Sequence, residues 1–164
     1  MGLADDLLVL ADRLAKPTSS DPEQASLRRA LSTAYYALFH LLVAEVAQLW
    51  QGGSLESRRR LERELDHRTM KDISQLFSQP QWTDWTGQQV SVPNDLREVA
   101  KAFVSLQQER HVADYNSGRI WARLETQSKV DQAKAAFQSW QAVRTQPVAQ
   151  DYLLSFLVGT KRRS

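Results

Sequence analysis

Apolar positions recur along this chain at helical spacing, and nowhere with the sustained alternation that a half-buried strand needs. Leu7, Leu10, Ala11 and Leu14 share one stripe and predict a first helix over about residues 3–15, which Lys16-Pro17-Thr18-Ser19-Ser20 stops. Asp21 can cap the next helix, Pro22 suits its first position and Glu23 its positive end. That helix runs to about Trp50 and ends at Gly52-Gly53. Its centre, Ala34 to Val43, is apolar almost all round, so it is expected to be buried on several sides or covered by a partner chain.

A third helix follows Ser54 through Leu55, Leu61, Leu65, Met70, Ile73 and Phe77, with a break expected near His67. Residues 79–93 read as a loop holding Pro80, Gly87 and Pro93. Its Trp82 and Trp85 are expected to pack onto the domain or across a subunit interface, because exposing both would be costly. Asn94 can cap a fourth helix reaching about Asn116, near Ser117-Gly118. A fifth covers roughly 125–144, and a short one follows Pro147 with Tyr152, Leu153, Phe156 and Leu157. Lys161-Arg162-Arg163 reads as a frayed basic tail. The pattern describes one all-α domain over residues 1–164, an up-and-down bundle of four to five main helices.

Composition narrows the class. With 164 residues and 42% hydrophobic content the chain can bury one proper core. It has no cysteine, which removes disulfides, thiolate metal sites and a cysteine nucleophile. The start lacks a basic leader, and Asp5, Asp6 and Asp12 interrupt its apolar positions, unlike a signal peptide. The late apolar run Tyr152 to Val158 is far shorter than a membrane span, so a soluble, cytoplasmic protein with no membrane contact is expected. A net charge of +2 permits contact with nucleic acid without arguing for it. Arg58-Arg59-Arg60 and Arg63 are interleaved with Glu56, Glu62, Glu64 and Asp66, and the pairs Glu56–Arg60 and Glu64–Arg68 make this a solvated mixed-charge face. His40, His67 and His111 share no metal-ligand spacing and no glycine-rich phosphate loop occurs, so neither metal nor cofactor is expected.

One stripe carries candidate chemistry. On the fourth helix, residues 96, 99, 103, 106, 110 and 114 follow one face; the first four are apolar and the last two are Arg110 and Asp114. A charged pair continuing a core stripe needs tertiary partners, because buried charge is expensive. The arginine precedes the carboxylate, the weaker order for an isolated helix, which points the same way.

The segment Arg29-Ala30-Leu31-Ser32-Thr33-Ala34-Tyr35-Tyr36-Ala37-Leu38-Phe39-His40, followed about seventy residues later by Glu109-Arg110-His111-Val112-Ala113-Asp114-Tyr115, resembles the HEPN family. The likeness covers about residues 21–144 and is to the bacterial and archaeal branch with an AYYAxFH helix and a later helix ending in RxxADY. It implies a four- or five-helix bundle, a homodimer through the central helices, and links to RNA cleavage, toxin–antitoxin modules and defence. It also implies that an arginine steadies phosphate charge while a histidine a few residues on moves protons, without metal. Arg110 matches the arginine and His111 the adjacent polar position, but the positions where the histidine is expected hold Tyr115, Asn116 and Ser117.

Three functions therefore stay open. The favoured one is an RNA- or nucleotide-associated module of a toxin–antitoxin or defence system, non-catalytic or weakly active, with Arg110 on phosphate, Asp114 orienting it and Tyr115 beside them. The second is a metal-independent endoribonuclease using Arg110 with His111 or Tyr115. The third is an interaction protein whose apolar central helix and loop tryptophans, Trp82 and Trp85, bind a partner chain. Tyr35, Tyr36, Phe39 and His40 are expected in core or dimer packing. By the same resemblance, a nucleotidyltransferase antitoxin is a candidate partner.

Overall fold

A computed structural model describes residues 2–16 and 23–161. Asp21, Pro22 and residues 17–20 of the expected first stop lie outside them, as do Arg162 and Arg163 of the basic tail. Among the described residues the chain is all-α apart from one small hairpin: α1 (Leu3–Ala15), α2 (Gln24–Leu49), α3 (Leu55–Glu64), α4 (His67–Phe77), β1 (Gln81–Thr83), β2 (Gln89–Ser91), α5 (Asn94–Tyr115), α6 (Arg123–Val143) and α7 (Pro147–Lys161). The residues group into two compact units, Met1–Leu41 with Ala102–Gln138, and Leu42–Lys101 with Ser139–Ser164.

The break expected near His67 is present and divides the third helix into two. Leu65 turns extended, and Asp66 starts α4 by accepting a hydrogen bond from the Thr69 amide at 2.8 Å. The break separates Glu64 from Arg68, so they are not an i,i+4 pair on one helix, and Glu56 meets Arg63 rather than Arg60. That contact is 3.4 Å long with both side chains about three-quarters exposed, in the range where an ion pair contributes about 0–1 kcal/mol. The helix after Pro147 is fifteen residues long rather than short. Asn94 is the first residue of α5, and its side-chain oxygen accepts from the Arg97 guanidinium at 3.4 Å.

The expected loop at 79–93 contains the hairpin. Trp82 pairs with Val90, flanked by Gln81 with Ser91 and Thr83 with Gln89. Three-residue strands are too short to show alternation, which is why the pattern hid them. Gly87 takes a left-handed φ of +86°, closing the turn as a side-chain-bearing residue could do only with strain. Trp82 is buried and stacks on Phe77 at 4.7 Å, whereas Trp85 remains half exposed.

In this second unit the aromatic core continues from Phe77 to Tyr152 (5.0 Å) and on to Phe156 (4.7 Å). Tyr152 is fully buried, and its hydroxyl reaches Ser74 Oγ at 2.7 Å while Ser74 donates to the Met70 carbonyl at 2.6 Å. Burial pushes the Tyr152 phenol up, so it stays a neutral hydrogen-bonding group. Gly159 lets α7 approach α4: a Cβ there would stand 3.1 Å from Thr69 Cγ2 and 3.4 Å from Ile73 Cδ1. Glu45 is buried on α2, where Arg144 grips it through Nε and Nη2 at 3.2 and 3.0 Å.

In the first unit, Leu27, Leu31, Tyr35 and Leu38 of α2 are fully buried, as are Phe103 and Leu106 of α5 and Val130 and Ala133 of α6. Tyr35 meets Phe103 edge-on at 5.5 Å. By length and composition α2 could cross a membrane, yet 67% of its most apolar stretch is buried inside the protein, as befits a core helix. Asp12 ties α1 to α6 by accepting from Lys134, and it also takes Lys16 at 2.6 Å.

Those two ammonium groups, Lys134 first, hold the Asp12 carboxyl at about 2 against an ordinary 3.8. The folded value lies below the unfolded one, so the pair contributes stability present above pH 3.8 and lost as pH falls toward 2. The thermal midpoint of Asp12→Asn should therefore lie below that of the parent at neutral pH and low salt. The gap should close between pH 3.8 and 2; a gap independent of pH in that window would contradict the assignment.

Candidate functional site

The charged end of the α5 stripe is met by α2 within the first unit. Arg110 Nε stands 2.9 Å from Asp114 Oδ2, and Arg110 Nη2 donates to the Tyr36 hydroxyl at 2.8 Å. Ser32 donates to the other oxygen, Asp114 Oδ1, at 2.5 Å. The guanidinium lies over the Tyr36 ring at 5.3 Å and the Tyr35 ring at 5.8 Å. The Arg110 side chain is 18% exposed and that of Asp114 32%, so the pair is partly desolvated but still reached from outside. Burial pushes the Tyr35 phenol up, and the Arg110 charge only partly opposes this, so Tyr35 stays protonated.

A second arginine shapes the end of α5. A helix leaves its last carbonyls without partners and carries partial negative charge there. Arg28 answers both: Nη1 donates to the carbonyls of Ala113 (2.8 Å) and Asn116 (2.9 Å), and Nη2 to those of Ser117 (3.2 Å) and Arg119. One turn earlier, the Gln24 amide brackets Trp121, donating to its carbonyl at 2.9 Å and accepting from its N–H at 2.8 Å. Trp121 is buried with Leu27, Leu31 and Ala113, and Arg119, paired with Glu125, covers its ring at 4.3 Å. Beside these residues lies a cleft of about 400 Å³ lined by Arg28, Asp114, Tyr115 and Arg119, among others.

The residues that the motifs single out divide in two. Arg110, Asp114, Tyr35 and Tyr36 come together in one network, with Phe39 and His40 one turn further along α2. The His40 ring lies 6.4 Å from Tyr36 and edge-on to Phe39 at 5.3 Å. His111 and Tyr115 stand aside. They are exposed and pack on each other at 5.0 Å, about 100° and about 140° around the helix from Arg110.

The pattern missed Ser32, Arg28 and Gln24, and a signal for them was present. Gln24, Arg28, Ser32, Tyr36 and His40 follow one another at four-residue steps, a polar line on a helix that otherwise reads as apolar. The centre of α2 is thus not apolar all round: Tyr36 and His40 are only partly buried and belong to this line.

Chemically, the network presents one guanidinium held rigid by a carboxylate and a phenol. Asp114 offsets its charge and Tyr36 takes an Nη2 donor, so an anion there would meet only the guanidinium's remaining N–H groups. The exposed His111 lies on another side of α5, while the His40 ring stands 6.4 Å from that of Tyr36, which Arg110 holds. Among the described residues no group of three His, Asp or Glu side chains is placed to hold a metal ion. Comparison with protein-family models, curated proteins and solved structures finds no match for this chain.

Arg28 anchors the loop from which Asp114 and Tyr115 emerge, so its loss should loosen that helix end. Arg28→Ala is expected to cost about 2–3 kcal/mol in urea unfolding, the range for charged hydrogen bonds left unmade. Arg28→Lys should recover little, because a single ammonium cannot span four carbonyls. Full recovery by lysine would show that charge alone, not the fork, holds the turn.

Proposed function

We propose that this chain is a HEPN-like RNA- or nucleotide-associated module of a toxin–antitoxin or defence system, binding phosphate through Arg110 without cleaving efficiently. The observation that carries the reading is the Arg110–Asp114 pair, braced by Tyr36 and Ser32 and still open to solvent. A purely structural ion pair gains little from a guanidinium kept partly wet, whereas a phosphate contact requires it. The placement of His111 and Tyr115 away from Arg110 favours binding over catalysis. In this reading the protein acts as a cytoplasmic homodimer, with a nucleotidyltransferase antitoxin as its candidate partner.

A metal-independent endoribonuclease is the second reading. It is favoured by one feature: His111 and Tyr115 form an exposed imidazole–phenol pair on the helix that bears Arg110, where a second copy could complete a site. A purely interacting domain is the third.

Labelled total RNA mixed with purified protein in EDTA separates these readings. The wild type is expected to retain intact RNA, and Arg110→Ala, with its helicity unchanged, to lose at least about tenfold in affinity, as for a charge-assisted phosphate contact. Cleavage by the wild type but not by Arg110→Ala would establish the nuclease instead. Absence of both binding and cleavage would leave the interaction domain.

A further inference from the structure

The second unit holds a cleft of about 390 Å³, within the size range of small-ligand sites. It is lined by Ile73 and Leu76 of α4, Trp82, Asp84 and Trp85 of the hairpin, and Val158 of α7, among others. Trp82 is fixed against Phe77, and Trp85 stands almost perpendicular to it, at 82° with ring centroids 5.4 Å apart. Trp82 is 7% exposed and stacked on Phe77, so it forms the buried side of the corner and Trp85 supplies the open indole face. Trp85 keeps 49% of its surface open, an exposure that the hairpin could avoid with a smaller polar residue at this turn.

Asp84, between the two tryptophans in sequence, is held in place. Its Oδ1 accepts from the Thr86 amide (2.8 Å), the Thr86 hydroxyl (2.7 Å) and the Gln88 amide (2.9 Å). These bonds, the Thr86 hydroxyl first, keep its carboxyl below the ordinary range and therefore ionised at neutral pH. Indole faces carry a negative quadrupole, so the corner and the carboxylate attract the same sign of charge. Both repel phosphate, which separates this cleft in kind from the Arg110 network.

We propose that the Trp82–Trp85 corner and Asp84 form a binding site for a quaternary ammonium group, of the kind borne by trimethylated lysine or choline. A methylated cation suits it better than a plain ammonium. Oδ1 is committed to the turn by three hydrogen bonds, and a trimethylammonium, unlike a plain ammonium, brings no N–H groups that need acceptors in an apolar-sided cleft. Its methyl groups also fit the apolar side provided by Ile73, Leu76 and Val158. The site stands independently of the proposed RNA association.

Titration followed by ¹H–¹⁵N spectra at the Trp82 and Trp85 indole N–H groups tests this, the Trp82 signal serving for the Trp85 variants, with N-acetylated trimethyl-lysine, choline, lysine and the neutral tert-butyl isostere of trimethyl-lysine as probes. A saturable shift is expected with trimethyl-lysine or choline, and the tighter of the two identifies the source. Lysine and the neutral isostere should bind about threefold to thirtyfold more weakly, the span of cation–π strengths. Trp85→Ala should abolish saturation, Trp85→Phe should keep part of it, and Asp84→Asn, which preserves the turn's acceptor, should weaken binding several-fold. No saturable shift with either quaternary probe, equal affinity for the neutral isostere, or unchanged binding by Trp85→Ala with a native spectrum would overturn the proposal.

Discussion

A guanidinium can leave bulk water only where a carboxylate and neutral acceptors replace its hydration, and the first unit meets that constraint at the end of α5. Arg110 is given Asp114 and Tyr36, and Asp114 is given Ser32 in return. Arg28 solves the complementary problem by giving donors to the carbonyls that the end of α5 leaves over. The polar line on α2, from Gln24 to Tyr36, therefore fixes both where α5 stops and how its last charged side chains are aimed. The buried contacts of Leu27, Leu31, Ala113 and Trp121 supply burial beside it, but they carry no direction; the hydrogen bonds do.

Much of the fold was legible. The limits of α1, α5 and α6 follow from apolar spacing and stop residues, each to within two residues. Where the reading fell short, the cause is physical. The hairpin has strands of three residues, below the length at which alternation can be seen, and its identity lies in the Asp84–Gln88 turn, closed by Gly87. The α3–α4 break, by contrast, falls where it was expected near His67, fixed by the Asp66 cap. At the candidate site, Arg110, Asp114 and Tyr36 were within reach of spacing and resemblance. Arg28 and Ser32 lie on a polar line that the spacing of α2 does carry, but their partners are 82 to 91 residues away, and helix periodicity reports only local neighbours.

The two candidate sites have opposite electrostatics and belong to different units. One is a braced guanidinium suited to phosphate; the other is an aromatic corner with a fixed carboxylate suited to a cation. Neither asks for a metal or an exotic residue. Each takes ordinary side chains and limits their freedom, through Tyr36 and Asp114 in one case and through the hairpin turn in the other. His111 and Tyr115, the groups the motif offers for proton transfer, are exposed and pack on each other.

The most direct test of that account is the salt dependence of RNA binding, measured for the wild type and Arg110→Ala over a series of salt concentrations. A phosphate contact releases counterions, so removing it should weaken binding and lower the slope of log K against log salt by about one per chain. A slope and affinity unchanged in Arg110→Ala would mean that Arg110 touches no phosphate and serves only the packing of α2 on α5.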